Sequence, residues 1–402
     1  MPPFSPFPGI RYAERFDPAL VTAPPYDVVD ADDRAALVAR SDRNAVLFDL
    51  PDEADGADRY TAAAATFDAW RADGTLVTDD RPTFTVYRMT YTDDRGRPAR
   101  TLGVIGALEL SGPDEGRILP HEHTTPKART DRLDLLRATC ANLSAIWVLS
   151  PAEGLTALLE PDGPARDEWT DDDGVGHATW VVDDPARVAA IAEAVGSRPA
   201  VVADGHHRYE TALLHRDERR AAAGPGAELG SDQLMALVVE LTADELTVRP
   251  IHRLVEGLDA EALGDALAPW FTTVGAPVPA SAVADGEVLA LMDEVGALAL
   301  VGPDGGATLL LPAEDAFVGV EDLDSARAAH ALGQLEGVEV RPQHGTDLVQ
   351  RAVTGGQAAA GLLLRPATVA QIAENARSEA RMPAKTTFFH PKPKTGVVFR
   401  AC

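Results

Sequence analysis

Apolar residues recur at helical spacing over 31–40 and again near 57–73, where Asp73-Gly74 ends the run. Between them the apolar run Asn44–Leu50 predicts a strand, and two longer strands are expected at 83–92 and 102–110. Strand-like runs follow at 144–150, 176–182 and 234–241, and residues 184–223 read as helix, strand at Pro199–Ala203, helix. The opening stretch is rich in proline as far as Ala23-Pro24-Pro25-Tyr26-Asp27 and reads as an extended arm. Past residue 255 the texture changes to Ala/Leu/Val helices and short strands. Ala297–Val301 and Thr308–Leu311 predict a hairpin, and strands near 337–341 and 359–364 alternate with helices near 346–354 and 367–379. The pattern places a boundary that divides 1–255 from 256–402. It defines a mixed α/β (α+β) class, because a clean βαβ succession is not sustained.

The 402 residues carry 36 Lys and Arg against 63 Asp and Glu, a formal charge of −27. That charge disfavours sequence-independent nucleic-acid binding and docking on anionic lipid, both of which need a cationic surface. No apolar run is long enough to span a bilayer, and MPPFSPFPGIRY lacks the basic and apolar regions of a signal peptide, so a cytoplasmic protein is expected. Two cysteines, Cys140 and Cys402, exclude a disulfide scaffold or a cysteine-based zinc site and fit a reducing compartment. Only four basic residues are lysine: Lys127, Lys385, Lys392 and Lys394. Where Arg and Ala dominate, a retained ammonium is a candidate for a specific role, since the two cations differ at phosphate sites.

Three segments hold candidate chemistry. In Val201-Val202-Ala203-Asp204-Gly205-His206-His207-Arg208-Tyr209-Glu210 a strand ends at Asp-Gly and a helix begins at once. Gly205 would turn the chain tightly and leave the first helical amides facing an anion, with Arg208 one turn in. Helix capping accounts for Asp204 and Gly205 but not for His-His-Arg. The second segment, Pro120-His121-Glu122-His123-Thr124-Thr125-Pro126-Lys127 with Asp131-Arg132 beyond it, offers Glu122 as a general base, Lys127 for a phosphate, and Asp131 for a metal or a hydroxyl. It reads equally as a polar surface loop with a capping aspartate. The third runs from Arg381 to Gly396 and holds three of the four lysines and no acid, either an anion-facing loop or a basic tail on an acidic body. Tyr26-Asp27 and Arg249–Arg253 are weaker candidates.

Pro24-Pro25-Tyr26-Asp27, His121-Glu122, Asp131-Arg132, Asp204–Glu210 and Met382-Pro-x-Lys-Thr-Thr-Phe-Phe-x-Pro-Lys392 together resemble the hallmarks of the prokaryotic family termed domain of unknown function 1015, over nearly the whole chain. Over about fifteen residues the Asp-Gly-His-His-Arg-Tyr turn also resembles the phosphate-binding turn of the ParB and sulfiredoxin superfamily. In sulfiredoxins that turn reads Gly-Gly-Cys-His-Arg-Tyr; His206 stands here in place of the reactive Cys, which argues against sulfinic-acid repair. The superfamily includes free serine kinases and ParB-type CTPases, and the absence of a basic helix-turn-helix speaks against the DNA-binding route.

The resemblance implies a ParB/sulfiredoxin-like nucleotide-binding region within 1–255 and a second α/β domain whose basic tail returns to the site. The expected activity is phosphoryl transfer between a nucleotide and a small hydroxy substrate, in the manner of a serine kinase. Glu122, His121, Asp131 and His206 are its candidate catalytic side chains. Asp204, Gly205, His207, Arg208, Lys127, Lys385 and Lys392 are expected to bind ATP or ADP, with Mg²⁺ on Asp131 and Asp204. A metal-dependent phosphatase or hydrolase using His121, His123, His206 and His207 is one alternative. A nucleotide-binding regulatory protein without turnover is another.

Overall fold

The computed structural model describes the chain except for residues 53–57, 95, 113–114, 121–128, 225 and 379–381. It is mixed α/β and divides into two units, Met1–Thr247 with Pro391–Cys402, and Val248–His390.

The first unit is built on a nine-stranded mixed sheet. Its order is Ile118–Pro120, Ala200–Asp204, Ile146–Ser150, Gln233–Glu240, Pro98–Glu109, Phe84–Thr92, Gly176–Val182, Asp167–Thr170, with Phe4–Ser5 added alongside Pro98–Glu109. The inner strands Ile146–Ser150 and Gln233–Glu240 are near-continuous apolar runs and are buried along most of their length, as strands covered on both faces must be. One core joins Phe84, Val104, Val148, Val202 and Val238 to Ile191 and Val195 of helix Pro185–Gly196 and to Tyr209 and Ala212 of helix His206–Ala223. A second core is aromatic: Phe48, Phe67, Trp70 and Phe399 meet mostly edge to face, with ring centroids 5.2–5.7 Å apart.

The second unit is a six-stranded antiparallel sheet in the order Phe271–Val278, Ala307–Pro312, Leu298–Val301, Ala360–Leu363, His252–Glu256, Glu339–Gln343. The expected hairpin forms, with Leu298 opposite Leu310 and Val301 opposite Ala307. Among the described residues no helix is long and apolar enough to cross a membrane.

Two expectations about the first fifty residues fail. Asn44–Leu50 is not a strand; Val46–Asp49 is a short helix. Asn44 donates through Nδ2 to the carbonyls of Leu20 and Thr22 and accepts from the Val46 amide at 3.0 Å, which starts a helical turn and drives Phe48 into the aromatic core. The proline arm is not wholly extended either. Pro18 sits at the first helical position, where its missing N–H costs nothing, and the Asp17 side chain caps the turn at the Ala19 amide.

Candidate functional site: a charged turn at the sheet edge

Strands Ile118–Pro120 and Ala200–Asp204 are parallel, with Pro120 opposite Val202, so both reach the same edge of the sheet. Ala200–Asp204 pairs on its other side with Ile146–Ser150, and its register slips between Val202 and Asp204. Such an irregularity re-aims the residues that follow it. The turn is completed by Gly205 at φ +89°, and helix His206–Ala223 starts at the next residue. A Cβ at 205 would lie 2.8 Å from Ile146 Cγ2 and 2.9 Å from Arg208 Nη2. Glycine is therefore required twice, for its left-handed backbone and for the guanidinium folded across it.

That guanidinium is held on three sides. Arg208 donates to Asp204 Oδ2 at 2.8 Å, to the Ala145 carbonyl at 2.7 Å and to Ser144 Oγ at 3.1 Å. The other oxygen of Asp204 accepts from Lys392 Nζ at 2.9 Å, and the same ammonium reaches Asp27 Oδ2 at 2.5 Å. Burial pushes the Asp204 carboxyl up, but Lys392 and Arg208 together outweigh it and hold it well below the usual carboxylate range. Burial likewise opposes the Lys392 charge, and the two aspartates override it and raise its pKa.

A second chain of charges adjoins the first through Tyr26, whose ring lies under Arg132 at 4.1 Å and near Arg208 at 5.9 Å. Arg132 donates to the Asp49 carbonyl at 2.8 Å, to Asp49 Oδ1 at 3.3 Å and to Asp131 Oδ2 at 2.8 Å. The remaining Asp131 oxygen accepts from Arg59 at 2.9 Å and from the Tyr60 hydroxyl at 3.0 Å. Burial raises the Asp49 carboxyl against the pull of Arg132 and of the Thr395 hydroxyl. Burial also opposes ionisation of Asp131, but Arg132, Tyr60 and Arg59 prevail and lower it. The cluster thus sets Asp27, Asp204, Asp49 and Asp131 against Lys392, Arg208, Arg132 and Arg59. Locally it is neutral, in a chain of charge −27.

Beside it lies a small cavity of about 50 Å³ between Arg132, Arg208 and Asp49 on one side and Leu135, Leu143 and Leu234 on the other. Thr211 Oγ1, which lines it, and Arg208 Nε are buried and have no hydrogen-bond partner among the described residues.

Of the residues singled out in the sequence, Asp204, Gly205, Arg208 and Lys392 come together at this turn, with His206 and His207 opening the helix, and Arg132 links Asp131 to the same neighbourhood. Lys385 belongs to the other unit, where its carbonyl accepts from Arg253 at 3.1 Å. His121, Glu122, His123 and Lys127 lie outside the described residues. Among the described residues no group of three or more His, Cys, Asp or Glu side chains is placed to hold a metal ion. Asp49 was not anticipated; a lone acid inside the apolar run Ala45–Leu50 was the available signal.

Lys392 reaches the turn because the segment that carries it is threaded through the first unit. Thr395 exchanges backbone hydrogen bonds with Ala23 (2.9 and 3.0 Å) and Phe399 with Ile10 (2.8 and 2.9 Å). Lys394 Nζ meets Asp171 Oδ2 at 2.6 Å. That oxygen also faces His177 Nε2 at 3.1 Å, and His177 Nδ1 is 2.8 Å from the Tyr87 hydroxyl. Burial opposes the Asp171 charge, and His177 and Lys394 overcome it and hold the carboxyl far below its ordinary value.

Fold and site define a two-unit mixed α/β protein with a glycine-turned, charge-balanced helix start at a sheet edge. The chain belongs to the family described as "Protein of unknown function (DUF1015)", whose model matches residues 4–332. Among solved structures it is similar to a free serine kinase in complex with AMP, at 12% identity over 71% of this chain and 86% of that one, with a TM-score of 0.37. It is similar to SbnI with a C-terminal truncation from Staphylococcus aureus at 11% identity, 72% and 85% coverage and a TM-score of 0.38. It is also similar to a conserved hypothetical protein from Pyrococcus furiosus at 11% identity, 73% and 93% coverage and a TM-score of 0.37. No curated protein matches the chain.

Proposed function

We propose that the first unit binds a nucleotide at the Asp204–Arg208 turn and transfers a phosphoryl group between it and a small hydroxy compound. The observation that supports this most directly is the meeting of Lys392 and Arg208 on Asp204 at the start of an 18-residue helix. Two cations held by one carboxylate at a helix N-terminus can exchange that carboxylate for phosphate oxygens, which also meet the helix dipole and its first amides. In this reading Lys392 and Arg208 neutralise the transferring group, with His206 and His207 beside them and Lys127 as a further cation; Lys385, in the other unit, has no part in it. Glu122, two residues beyond Pro120, accepts the hydroxyl proton of the acceptor as its oxygen bonds to phosphorus and the bond to the nucleotide breaks. Serine is the first acceptor to assay, given the turn's resemblance to the superfamily that includes free serine kinases.

The described residues do not present an open carboxylate set for a divalent cation. Both oxygens of Asp204 and both of Asp131 already accept from cationic side chains. The same complete pairing favours, as the second reading, a nucleotide-binding protein without turnover.

Calorimetry with ATP, ADP and pyrophosphate, followed by assay of phosphorylated serine and other small alcohols, tests the reading. Lys392→Met is expected to weaken nucleotide binding about 10- to 100-fold, in line with loss of a charged hydrogen bond. Glu122→Gln is expected to leave affinity unchanged and remove turnover. Absence of binding to all three ligands overturns the proposal, and a fully active Glu122→Gln removes the base. Binding with no product from any acceptor selects the second reading.

A further inference from the structure

The chain has two cysteines, one at 140 and one at 402. The fold sets them opposite each other. The short antiparallel pair Ala141–Asn142 with Arg400–Ala401 aligns Asn142 with Arg400 and Ala141 with Ala401, which brings the adjoining residues Cys140 and Cys402 side by side. Cys140 itself turns to a left-handed backbone at φ +47°, and the Cys402 amide donates to its carbonyl at 2.8 Å. Neither cysteine is in a disulfide, and both residues are partly buried. Asn142 Nδ2 donates to Cys402 Sγ at 3.7 Å, which keeps that sulfur at the end of the ladder.

We propose that Cys140 and Cys402 are a reversible oxidation site that closes to an intramolecular disulfide in the presence of a hydroperoxide and pins the segment bearing Lys392 and Lys394 to the body of the first unit. The amide–carbonyl hydrogen bond between the two residues holds their backbones at a separation a disulfide can span, so closure calls mainly for side-chain rotation. The Cys402 thiol hydrogen bond, against a smaller opposing effect of burial and with help from Arg219, draws the Cys140 thiol down to about 6, which makes it the attacking sulfur. Its thiolate takes the terminal peroxide oxygen, the O–O bond breaks, and a sulfenic acid forms as the alcohol or water leaves. The Cys402 sulfur then attacks the sulfenic sulfur and expels water. Two thiols have lost two protons and two electrons, and the hydroperoxide has been reduced by the same two electrons. A small dithiol reverses the exchange.

Cys140 precedes the strand that lines the cavity beside Arg132 and Arg208, and Cys402 ends the segment that delivers Lys392 to Asp204. The bond would close a very long loop, the case in which a cross-link restricts the unfolded chain most.

The test uses the full wild-type chain, fully reduced and then treated with stoichiometric hydrogen peroxide. Thiols are counted, remaining ones alkylated, and intact and peptide masses measured. The expected result is that both thiols disappear together in a monomer that has lost two hydrogens, with the peptides bearing Cys140 and Cys402 linked. Dithiothreitol should restore both. The oxidised form should melt higher than the reduced form by roughly 5 °C or more, a rise that Cys140→Ser abolishes. Retention of both thiols, oxygen adducts on one cysteine with the other still alkylated, or cross-linked dimers in place of the internal link would each overturn the proposal.

Discussion

His252 shows how one buried side chain ties the second unit to pH. It lies in strand His252–Glu256 at 1% exposure and accepts the Leu364 amide through Nδ1 at 3.1 Å. An acceptor nitrogen must be unprotonated. Burial first, then the neighbouring charges of His344 and Arg253, push its pKa down to about 3. A folded-state pKa below the unfolded value near 6.5 means that the unfolded chain takes up the proton first as pH falls. The stabilising contribution is complete above pH ~6.5 and is lost progressively toward about 3. His252→Asn keeps an acceptor for the Leu364 amide but has nothing to titrate. Urea midpoints measured from pH 7 to pH 4 should fall less steeply in the variant than in the wild type; parallel slopes would remove His252 as the source.

Among elements, the segment Pro391–Cys402 is held in place by contacts distant in sequence. Lys394 supplies a cation to Asp171, both at about one-tenth side-chain exposure, and Asp171 also accepts the amides of Asp173 and Val175. Removing the ammonium leaves a buried carboxylate short of its strongest partner. Lys394→Ala is therefore expected to cost about 2–3 kcal/mol of first-unit stability, measured by chemical denaturation. The variant should also weaken whatever binding depends on Lys392, two residues away on the same threaded segment. Unchanged stability would show that His177 and the amides suffice for Asp171. Elements also differ in how plainly they announce themselves. The strand-turn-helix around Gly205 is legible because a β-branched run, an Asp-Gly turn and helical periodicity all agree there. Val46–Asp49 is not: four apolar-rich residues carry no period, and Asn44 together with the aromatic core chose helix.

For the whole molecule, chain order and spatial unit part company at residue 391. The second unit draws all six strands of its main sheet from one continuous stretch, whereas the first needs residues 391–402 to complete it. Phe399 is fully buried and contacts Tyr12, Phe48 and Phe67. Loss of such a side chain alone costs about 3–5 kcal/mol, a large share of the roughly 5–15 kcal/mol that holds a domain folded. The fragment 248–390 should melt cooperatively by itself, and the chain cut after His390 should lose the cooperative transition of the first unit. A first unit that melts normally without 391–402 would contradict this. Scanning calorimetry of the two truncations checks both outcomes.

Periodicity, turn residues and composition were enough to mark most helices and strands, the hairpin at 298–312, the mixed α/β class and the turn from Asp204 to Arg208, because each depends on neighbours in sequence. Lys392 could be suspected from its residue type, since lysine is scarce in this chain. That it shares Asp204 with Arg208, that Asp49 and Asp131 divide Arg132 between them, and that Lys394 turns the other way to Asp171 were decided by the tertiary structure alone. A charge finds its partner by distance in space, and distance in space between residues 27, 204 and 392 exists only once the strands have paired and the closing segment has been threaded between Ile10 and Ala23.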